Sequence, residues 1–192
     1  MTTPRILTLA STSPRRRQLL EMLGLAIEVR PSHIPEVHLP HETPRAYVER
    51  LAREKAEGVT GGWVLGADTT VVLDGGLLEK PADAEDALRM LSLLQGRTHE
   101  VMTAVALVAD GVVRVRTDLT HVTFRPMTQG FLRAYVATGE PMDKAGAYGI
   151  QGYGAALVER IDGDFFSVMG LPVRLVLELL EEAGWPYDFP SP

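Results

Sequence analysis

Apolar and polar residues follow different spacings in successive segments of this chain. Residues 63–73 form an almost continuous apolar and β-branched run, which predicts a largely buried strand that ends at Asp74-Gly75-Gly76. Residues 98–109 and 112–124 flank Asp110-Gly111 and predict a long hairpin. The predicted strands are 5–10, 27–30, 63–73, 98–109, 112–124 and 155–161; the predicted helices are 15–23, 44–57, 84–94, 128–138 and 171–183, with 143–154 as a loop.

Residues at the predicted helix ends support this division. Pro14 suits the first position of a helix, where no backbone N–H is needed, and Thr43 and Asp83 are good N-caps. Helices that alternate with strands, together with two hairpins, predict an α/β or mixed α+β fold with a mixed β-sheet flanked by helices. No repeat or linker interrupts the chain, so we expect residues 1–192 to form a single domain, with 185–192 as an irregular tail.

Composition excludes several classes of protein. The chain has 192 residues, a net charge of −6 and no cysteine. It therefore has no disulfide scaffold, thiol nucleophile or thiolate zinc site, and no apolar run reaches the ~18 residues of a membrane span. The acidic balance argues against a broad nucleic-acid-binding surface. The N-terminal segment lacks the pattern of a secretory signal peptide, so we expect a cytoplasmic protein.

The first candidate site is the segment STSPRRR, residues 11–17, which joins the first predicted strand to the first predicted helix. Hydroxyl groups, unpaired N–H groups of a helix start and guanidinium groups together favour an anion. Ser11, Ser13 and Arg15 are therefore candidate phosphate-binding residues. The alternative is an N-capped surface helix with solvated arginines, because a phosphate loop without glycine is a weak pattern.

An acidic residue interrupts the most apolar predicted strand. Asp68 lies in GADTT, between Val64-Leu65 and Val71-Val72. Because a carboxylate is costly to bury without a partner, we expect Asp68 to emerge at a cleft. There it could bind Mg²⁺ or accept a proton from water. The alternative is a structural aspartate that is hydrogen-bonded to nearby backbone.

Lysine is scarce in this chain. Only Lys55, Lys80 and Lys144 are lysines among the 19 basic residues. A residual lysine can indicate a site that needs a compact point charge rather than a planar guanidinium, and a triphosphate-binding site is one example. The alternative is that the three lysines occupy these positions by chance.

Residues 143–154 contain four glycines, two tyrosines and a glutamine. Such a segment favours a tight loop whose backbone approaches another group closely. Gln151 could read the edge of a base and Tyr148 could stack on it; a purely structural turn is the alternative.

The five histidines show no metal-ligand spacing and the chain has no GxSxG, which argues against zinc and serine-hydrolase chemistry.

Six segments, in order and over nearly the whole chain, carry a family resemblance. They are LASTSPRRRQLLEMLGL, RLAREKAE, VLGADTTVVLDGGLLEKP, GRTHEVMTAVAL, EPMDKAGAYGIQGYGA and DGDFFSVMGLP. Together they resemble the Maf-like nucleotide pyrophosphatases. The resemblance implies a Maf/ITPase-like fold, in which two lobes of a twisted mixed sheet border a central cleft. It also implies hydrolysis of a nucleoside triphosphate to the monophosphate and pyrophosphate with a divalent cation, Mg²⁺ or Mn²⁺.

Three positions separate two branches of that family, of which one acts on dTTP and UTP and the other on 7-methyl-GTP. Arg15, Thr69 and Gln151 each resemble the dTTP/UTP branch. Pro35-Glu36 stands where two adjacent carboxylates are common in the family. Only one carboxylate of the family's acidic pair is therefore present here. The resemblance implies that this carboxylate, Glu36, is a metal ligand.

Residues and resemblance together give a catalytic hypothesis. Asp68 would be the general base and, with Glu36, would hold the metal. Lys55 and Lys80 would be catalytic residues that bind phosphates, together with Ser11, Ser13 and Arg15, and Lys144 would complete this phosphate site. Thr69, Gln151 and Tyr148 would contact the pyrimidine. The alternatives are a pyrophosphatase for modified nucleotides, such as methylated pyrimidines or 7-methyl-GTP, and a nucleotide-binding regulator of cell division. Apolar residues on the long hairpin make a homodimer a further expectation.

Overall fold

The computed structural model describes residues 5–189, and within them seven strands and six α-helices are found. The strands are β1 (Leu7–Leu9), β2 (Ile27–Val29), β3 (Trp63–Leu73), β4 (Gly76–Leu78), β5 (Thr98–Ala109), β6 (Val112–Phe124) and β7 (Val158–Asp162). The helices are α1 (Pro14–Met22), α2 (Pro44–Glu57), α3 (Ala84–Leu94), α4 (Gln129–Ala137), α5 (Phe165–Val168) and α6 (Val173–Glu182). Three 3₁₀ turns occupy Glu140–Asp143, Ala145–Ala147 and Gly152–Leu157.

The seven strands form a mixed sheet. Their order is β2-β1-β3-β5-β6-β7, and β4 pairs with β3. Strand β1 is parallel to both β2 and β3, with Leu9 opposite Val29 on one side and Leu65 on the other. Strands β4 and β7 run antiparallel to β3 and β6, respectively. The prediction of an α/β fold with a mixed sheet and flanking helices is confirmed.

The chain divides into two compact units, and strands β3, β5 and β6 each pass from one unit to the other. Unit 1 consists of the chain up to Asp68, Thr103–Asp118 and the chain from Gly170; unit 2 consists of Thr69–Met102 and Leu119–Met169. That residues 1–192 act as a single domain, and that a cleft lies between two lobes, remain predictions.

In unit 1, helix α2 packs directly on strand β3. Thr43 caps the helix by accepting a hydrogen bond from the N–H of Ala46 at 3.2 Å. A Cβ atom at Gly66 would lie 2.2 Å from the carbonyl oxygen of Ala52 and 2.6 Å from the nitrogen of Ala56. Only glycine therefore allows the two backbones to approach this closely.

The core of unit 2 includes three aromatic rings packed edge to face. The ring of Phe124 lies 4.7 Å from that of Tyr148 and 4.9 Å from that of His99, measured between centroids. The Nε2 atom of His99 and the hydroxyl of Tyr148 share a hydrogen bond of 2.8 Å. Tyr148 is 5% exposed, so it is a core residue, and its prediction as a residue that stacks on a base is wrong.

The predicted bounds of α2, β3, β5 and β6 match the structure, whereas the region before β7 differs. The sequence predicts a plain loop over 143–154 and a strand over 155–161, but 3₁₀ turns occupy most of this stretch and β7 begins at Val158. Residues 155–157, which the sequence assigns to the strand, belong instead to the 3₁₀ turn Gly152–Leu157, whose C-cap is Val158. The short helix α5 has no counterpart in the prediction.

At the C-terminal end, the described part of the predicted tail, residues 185–189, has no helix or strand, and 190–192 lie outside the described residues. None of the helices within 5–189 has the length and apolar character needed to cross a membrane.

Candidate active site

Lys55 lies between two carboxylates in unit 1. Its Nζ atom is 2.6 Å from Oδ1 of Asp68 and 2.6 Å from Oε1 of Glu36. Lys55 and Asp68 are only 7% and 6% exposed, whereas the side chain of Glu36 is 42% exposed. The three residues form a charged cluster that is buried at its base and open on the side of Glu36. The structure therefore brings Lys55, Asp68 and Glu36 together, while their roles in catalysis and metal binding remain predictions.

The contact of α2 with β3 explains how Lys55 reaches Asp68. Lys55 follows Ala52 by three residues on α2, and Asp68 follows Gly66 by two residues on β3. Residues at these spacings share a helix face and a strand face, respectively. Because the backbones touch at Gly66, the next side chains on both faces meet.

The environment of Asp68 changes its acidity. Burial raises the pKa of the Asp68 carboxyl, because the charged form loses its hydration. The neighbouring Lys55 ammonium and Arg16 guanidinium act in the opposite direction, and the Glu36 carboxylate raises the pKa further. Asp68 therefore binds a proton more readily than an ordinary aspartate, which suits a general base.

A buried guanidinium borders this cluster. Arg16 is 9% exposed and donates hydrogen bonds from Nε to the carbonyl of Gly170 at 2.8 Å and from Nη1 to the carbonyl of Ala67 at 2.8 Å. A third bond, of 3.3 Å, reaches Oγ of Ser11. Because Ala67 precedes Asp68, this arginine fixes the strand backbone beside the carboxylate.

Sequence reasoning selected Arg15 and missed Arg16. Arg15 is half-buried, and its role in phosphate binding remains a prediction. Arg16 shares the buried face of α1 with Leu19 and Leu20, three and four residues further on. This helical spacing is the signal that identifies Arg16 as the inward-facing member of the arginine run.

The two candidate serines shape the start of α1. Oγ of Ser13 accepts a hydrogen bond from the N–H of Arg16 at 3.5 Å, as an N-cap residue does, and Oγ of Ser11 accepts one from the N–H of Ser13 at 3.2 Å. Both hydroxyl oxygens act as acceptors in these bonds, so their O–H groups can donate to a ligand. The helix N-terminus adds partial positive charge at the same place.

Arg50 tethers the segment that carries Glu36 to helix α2. Its Nε and Nη2 atoms donate to the two carboxylate oxygens of Glu42 at 2.7 and 2.8 Å, and Nη2 also donates to the carbonyl of Val37 at 2.9 Å. The hydrogen bonds from Arg50 lower the pKa of Glu42 to about 2. The backbone next to Glu36 is therefore held by a hydrogen bond from an arginine that a bidentate ion pair with Glu42 fixes in place.

Metal-binding capacity in this cluster rests on two carboxylates. Asp68 and Glu36 both face the Lys55 ammonium, and within residues 5–189 no group of three or more His, Cys, Asp or Glu side chains is placed to hold a metal ion. Two carboxylates are enough for Mg²⁺, which commonly keeps several waters and binds substrate phosphates as further ligands. The donor set therefore fits a metal that is held jointly with a nucleotide.

Four predicted site residues belong to unit 2. Thr69 is half-buried and follows Asp68 on β3, so its side chain points to the opposite face of the strand. Lys80 is exposed just after β4, Lys144 lies between two 3₁₀ turns, and Gln151 is exposed at the start of a third. That these four act with the residues of unit 1 in one site remains a prediction.

Comparison with known proteins identifies the family. A family model described as Maf-like protein matches residues 6–183, so the chain belongs to this family. The chain is 54% identical over 187 residues to a dTTP/UTP pyrophosphatase of Moorella thermoacetica, a match that covers 93% of this chain and 95% of that protein. It is 51% identical over 190 residues to a dTTP/UTP pyrophosphatase of Anaeromyxobacter dehalogenans, with 97% and 98% covered. A dTTP/UTP pyrophosphatase of Koribacter versatilis is 48% identical over 182 residues, with 93% and 94% covered.

Proposed function

We propose that this chain is a nucleoside triphosphate pyrophosphatase that hydrolyses dTTP and UTP to the monophosphate and pyrophosphate, as a house-cleaning activity on the nucleotide pool. The observation that carries the proposal is the buried pair of Asp68 and Lys55, with Glu36 on its open side. The names of the relatives, which match this chain along nearly its whole length, support the choice of substrate.

The proposed reaction is attack of water on the α-phosphorus. The bond from the α-phosphorus to the oxygen that bridges it to the β-phosphorus breaks, and pyrophosphate leaves. Asp68 accepts the proton of the attacking water, for which its burial and raised pKa are suitable. Lys55 holds the carboxylate in place and compensates its negative charge beside a polyanionic substrate.

Binding of the triphosphate is assigned to the start of α1 and to lysines. Ser11 and Ser13, whose hydroxyl oxygens accept backbone N–H groups, would donate their O–H groups to phosphate, and Arg15 would supply a guanidinium, next to a helix N-terminus that favours anions. Lys80 and Lys144 would add point charges to the phosphates. Each of these assignments agrees with the residue's exposure or hydrogen-bond capacity.

Recognition of the pyrimidine is assigned to Thr69 and Gln151. Gln151 is exposed and carries both a donor and an acceptor on its amide, so it can bind complementary groups on a base edge. Thr69 supplies a hydroxyl at a half-buried position.

A divalent cation, Mg²⁺ or Mn²⁺, would be held by Asp68 and Glu36 together with phosphate oxygens of the substrate. When bound, it would neutralise charge on the phosphates and on the leaving pyrophosphate. Lys55 already binds both carboxylates and so keeps them close to each other.

The experiment that tests this function is a panel of nucleoside triphosphates with released pyrophosphate as the readout. The panel includes dTTP, UTP, methylated pyrimidine nucleotides and 7-methyl-GTP, each with Mg²⁺, with Mn²⁺ and with a chelator. We expect the highest kcat/KM with dTTP and UTP, and loss of turnover with the chelator. Release of inorganic phosphate instead of pyrophosphate, or a clear preference for 7-methyl-GTP, would contradict the proposal.

A further inference from the structure

The carboxylate of Glu140 accepts three hydrogen bonds from two segments of unit 2, helix α4 and the turn Gly152–Leu157. Oε1 accepts from the hydroxyl of Tyr135 at 2.9 Å and from the N–H of Gly154 at 2.8 Å, and Oε2 accepts from the N–H of Tyr153 at 2.9 Å. All three partners are donors, so an ionised carboxylate, which only accepts, matches them. Sequence reasoning gave Glu140 no role.

The turn that begins at Gly152 is folded closely around this carboxylate. A Cβ atom at Gly152, where φ is +70°, would lie 2.5 Å from Oε2 of Glu140. A Cβ atom at Gly154 would lie 2.0 Å from the carbonyl oxygen of Gly149 and 2.8 Å from the hydroxyl of Tyr135. The close approach that the glycine-rich sequence predicts is thus between this segment and the side chains of Glu140 and Tyr135, which we call the clamp.

Tyr135 holds the other end of the same segment. Its hydroxyl donates to Glu140 and accepts from the N–H of Gly149 at 3.2 Å, and the residue is only 5% exposed. Residues 149–154 are therefore fixed at Gly149 by Tyr135 and at Tyr153 and Gly154 by Glu140.

Gln151 lies between these two points of attachment. It occupies the N-cap position of the turn Gly152–Leu157, yet its side chain makes no capping hydrogen bond. Glu140 performs that task from a distance, because Tyr153 and Gly154 contribute the N–H groups that a cap would normally satisfy. The side-chain amide of Gln151 is consequently not used as a cap and can hydrogen-bond a ligand.

We propose that Glu140, together with Tyr135, is a positioning residue that sets Gln151 for recognition of the pyrimidine base. The inference rests on the proposed function, because Gln151 is there assigned to the base. Lys144 belongs to the same arrangement, since its ammonium donates to the backbone carbonyl of Glu140 and to Asp143. The clamp thus fixes a predicted phosphate contact and a predicted base contact relative to one another.

Glu140→Gln tests the proposal with little change in shape. The amide places an NH₂ donor where one carboxylate oxygen accepts, so at least one backbone N–H loses its acceptor. We expect KM for UTP to rise about tenfold with kcat within about threefold, because the lost contribution is to binding of the base. The ratio of kcat/KM for UTP to that for ATP should fall by a similar factor. Glu159→Gln, which removes an exposed carboxylate from β7 of the same unit, is the matched control and should change neither value.

A double-mutant cycle distinguishes positioning from a general loss of stability. If Glu140 acts through Gln151, then Glu140→Gln should have no further effect on UTP selectivity in a Gln151→Ala background. Additive effects in this cycle, or an unchanged UTP to ATP ratio in Glu140→Gln, would overturn the proposal. Tyr135→Phe, which keeps the buried ring, should reproduce the selectivity loss in a folded protein and provides the second variant.

Hydrogen exchange separates failure of this inference from failure of the proposed function. The amides of Tyr153 and Gly154 should be protected in the wild-type chain and should exchange faster in Glu140→Gln, whatever the substrate. If these amides are equally exposed in both proteins, the clamp itself is refuted. If they respond as expected but no nucleoside triphosphate is hydrolysed, the proposed function is refuted, and with it the role assigned to Gln151.

Discussion

The two compact units hold their candidate functional residues by different means. In unit 1, Asp68 lies within strand β3 and Lys55 within helix α2, and both are almost fully buried. In unit 2, Lys144 and Gln151 lie on or beside 3₁₀ turns, and Gln151 is exposed. The helix and strand backbones, with a hydrogen bond from Arg16 to the carbonyl of Ala67, fix the first pair. Side-chain hydrogen bonds of Tyr135 and Glu140 fix the turn that carries Gln151.

This difference in how the residues are held corresponds to their proposed roles, an ion pair for catalysis in unit 1 and an exposed amide for base recognition in unit 2. A buried ion pair requires exact placement, because a charge in an apolar environment is very costly without its partner. The two backbones that touch at Gly66 supply that placement. Base recognition needs a solvent-accessible amide, and such an amide can be presented by a turn if the turn has few alternative conformations. Glu140 and Tyr135 provide that restriction.

The largest expected effect is on the ion pair of unit 1. Asp68→Asn removes the proposed general base, and we expect kcat for dTTP and UTP to fall by about 10³-fold. Turnover is measured as pyrophosphate released at saturating substrate. Asp110→Asn is the control, since it makes the same change at an exposed hairpin turn. Near-normal turnover in Asp68→Asn would remove Asp68 from the mechanism and leave unit 1 without a base.

A pH-dependent loss of stability is expected from the core of unit 2. His99 is 2% exposed, and burial lowers its pKa to about 4. Between pH 6.5 and about 4, the unfolded chain binds a proton at this histidine and the folded chain does not. Falling pH therefore destabilises the fold, by about 3 kcal/mol at most from this residue.

The measurement is the free energy of unfolding of the wild type and of His99→Gln between pH 8 and pH 4. Glutamine can still hydrogen-bond the hydroxyl of Tyr148 but does not titrate. The difference between the two proteins should change little from pH 8 to 7, where His99 is mostly neutral in both states. It should then change in favour of the variant as the pH falls. A difference that stays constant down to pH 4 would show that His99 is not buried in its neutral form.

Local sequence patterns predict much of the fold because the signals lie within each segment. The apolar run of β3, the hairpin of β5 and β6 and the capped helix α2 all have the predicted bounds. The turn Gly152–Leu157 before β7 is not predictable in this way, because the carboxylate that binds two of its N–H groups belongs to Glu140, 13 and 14 residues earlier in the chain. A side chain that caps from this distance leaves no periodic pattern in the sequence.

The candidate site is predictable to a similar extent. An acid within an apolar strand and the scarcity of lysine identify Asp68 and Lys55 as candidate site residues. In the structure, Nζ of Lys55 lies 2.6 Å from Oδ1 of Asp68. That they meet depends on the contact of α2 with β3 at Gly66, which joins segments distant in sequence. Which arginine of the run points inward depends on which face of α1 is buried, and the spacing to Leu19 and Leu20 identifies it as Arg16.

A smaller loss of stability than that from His99 is expected when the backbone contact between α2 and β3 at Gly66 is disturbed. Gly66→Ala places a methyl group within 2.2 Å of the carbonyl oxygen of Ala52, so α2 must move away from β3. We expect a loss of about 2 kcal/mol in the free energy of unfolding, as for overpacking of a core. Gly62→Ala is the matched control, because a Cβ atom there meets nothing within 4 Å. Equal stability of the two variants would show that α2 and β3 are not in contact at Gly66.

The smallest expected effect is on the exposed amide of unit 2. Gln151→Glu replaces the NH₂ donor with an acceptor, so kcat/KM for UTP and dTTP should fall by about tenfold, or about 1.4 kcal/mol, while the free energy of unfolding stays unchanged. The rate with ATP serves as the internal control, since a purine cannot use the pyrimidine contact. An unchanged preference for UTP over ATP would assign base recognition to other residues. It would also mean that the clamp of Glu140 and Tyr135 holds a turn without a role in selectivity, and the contrast between the two units would then concern only their stability.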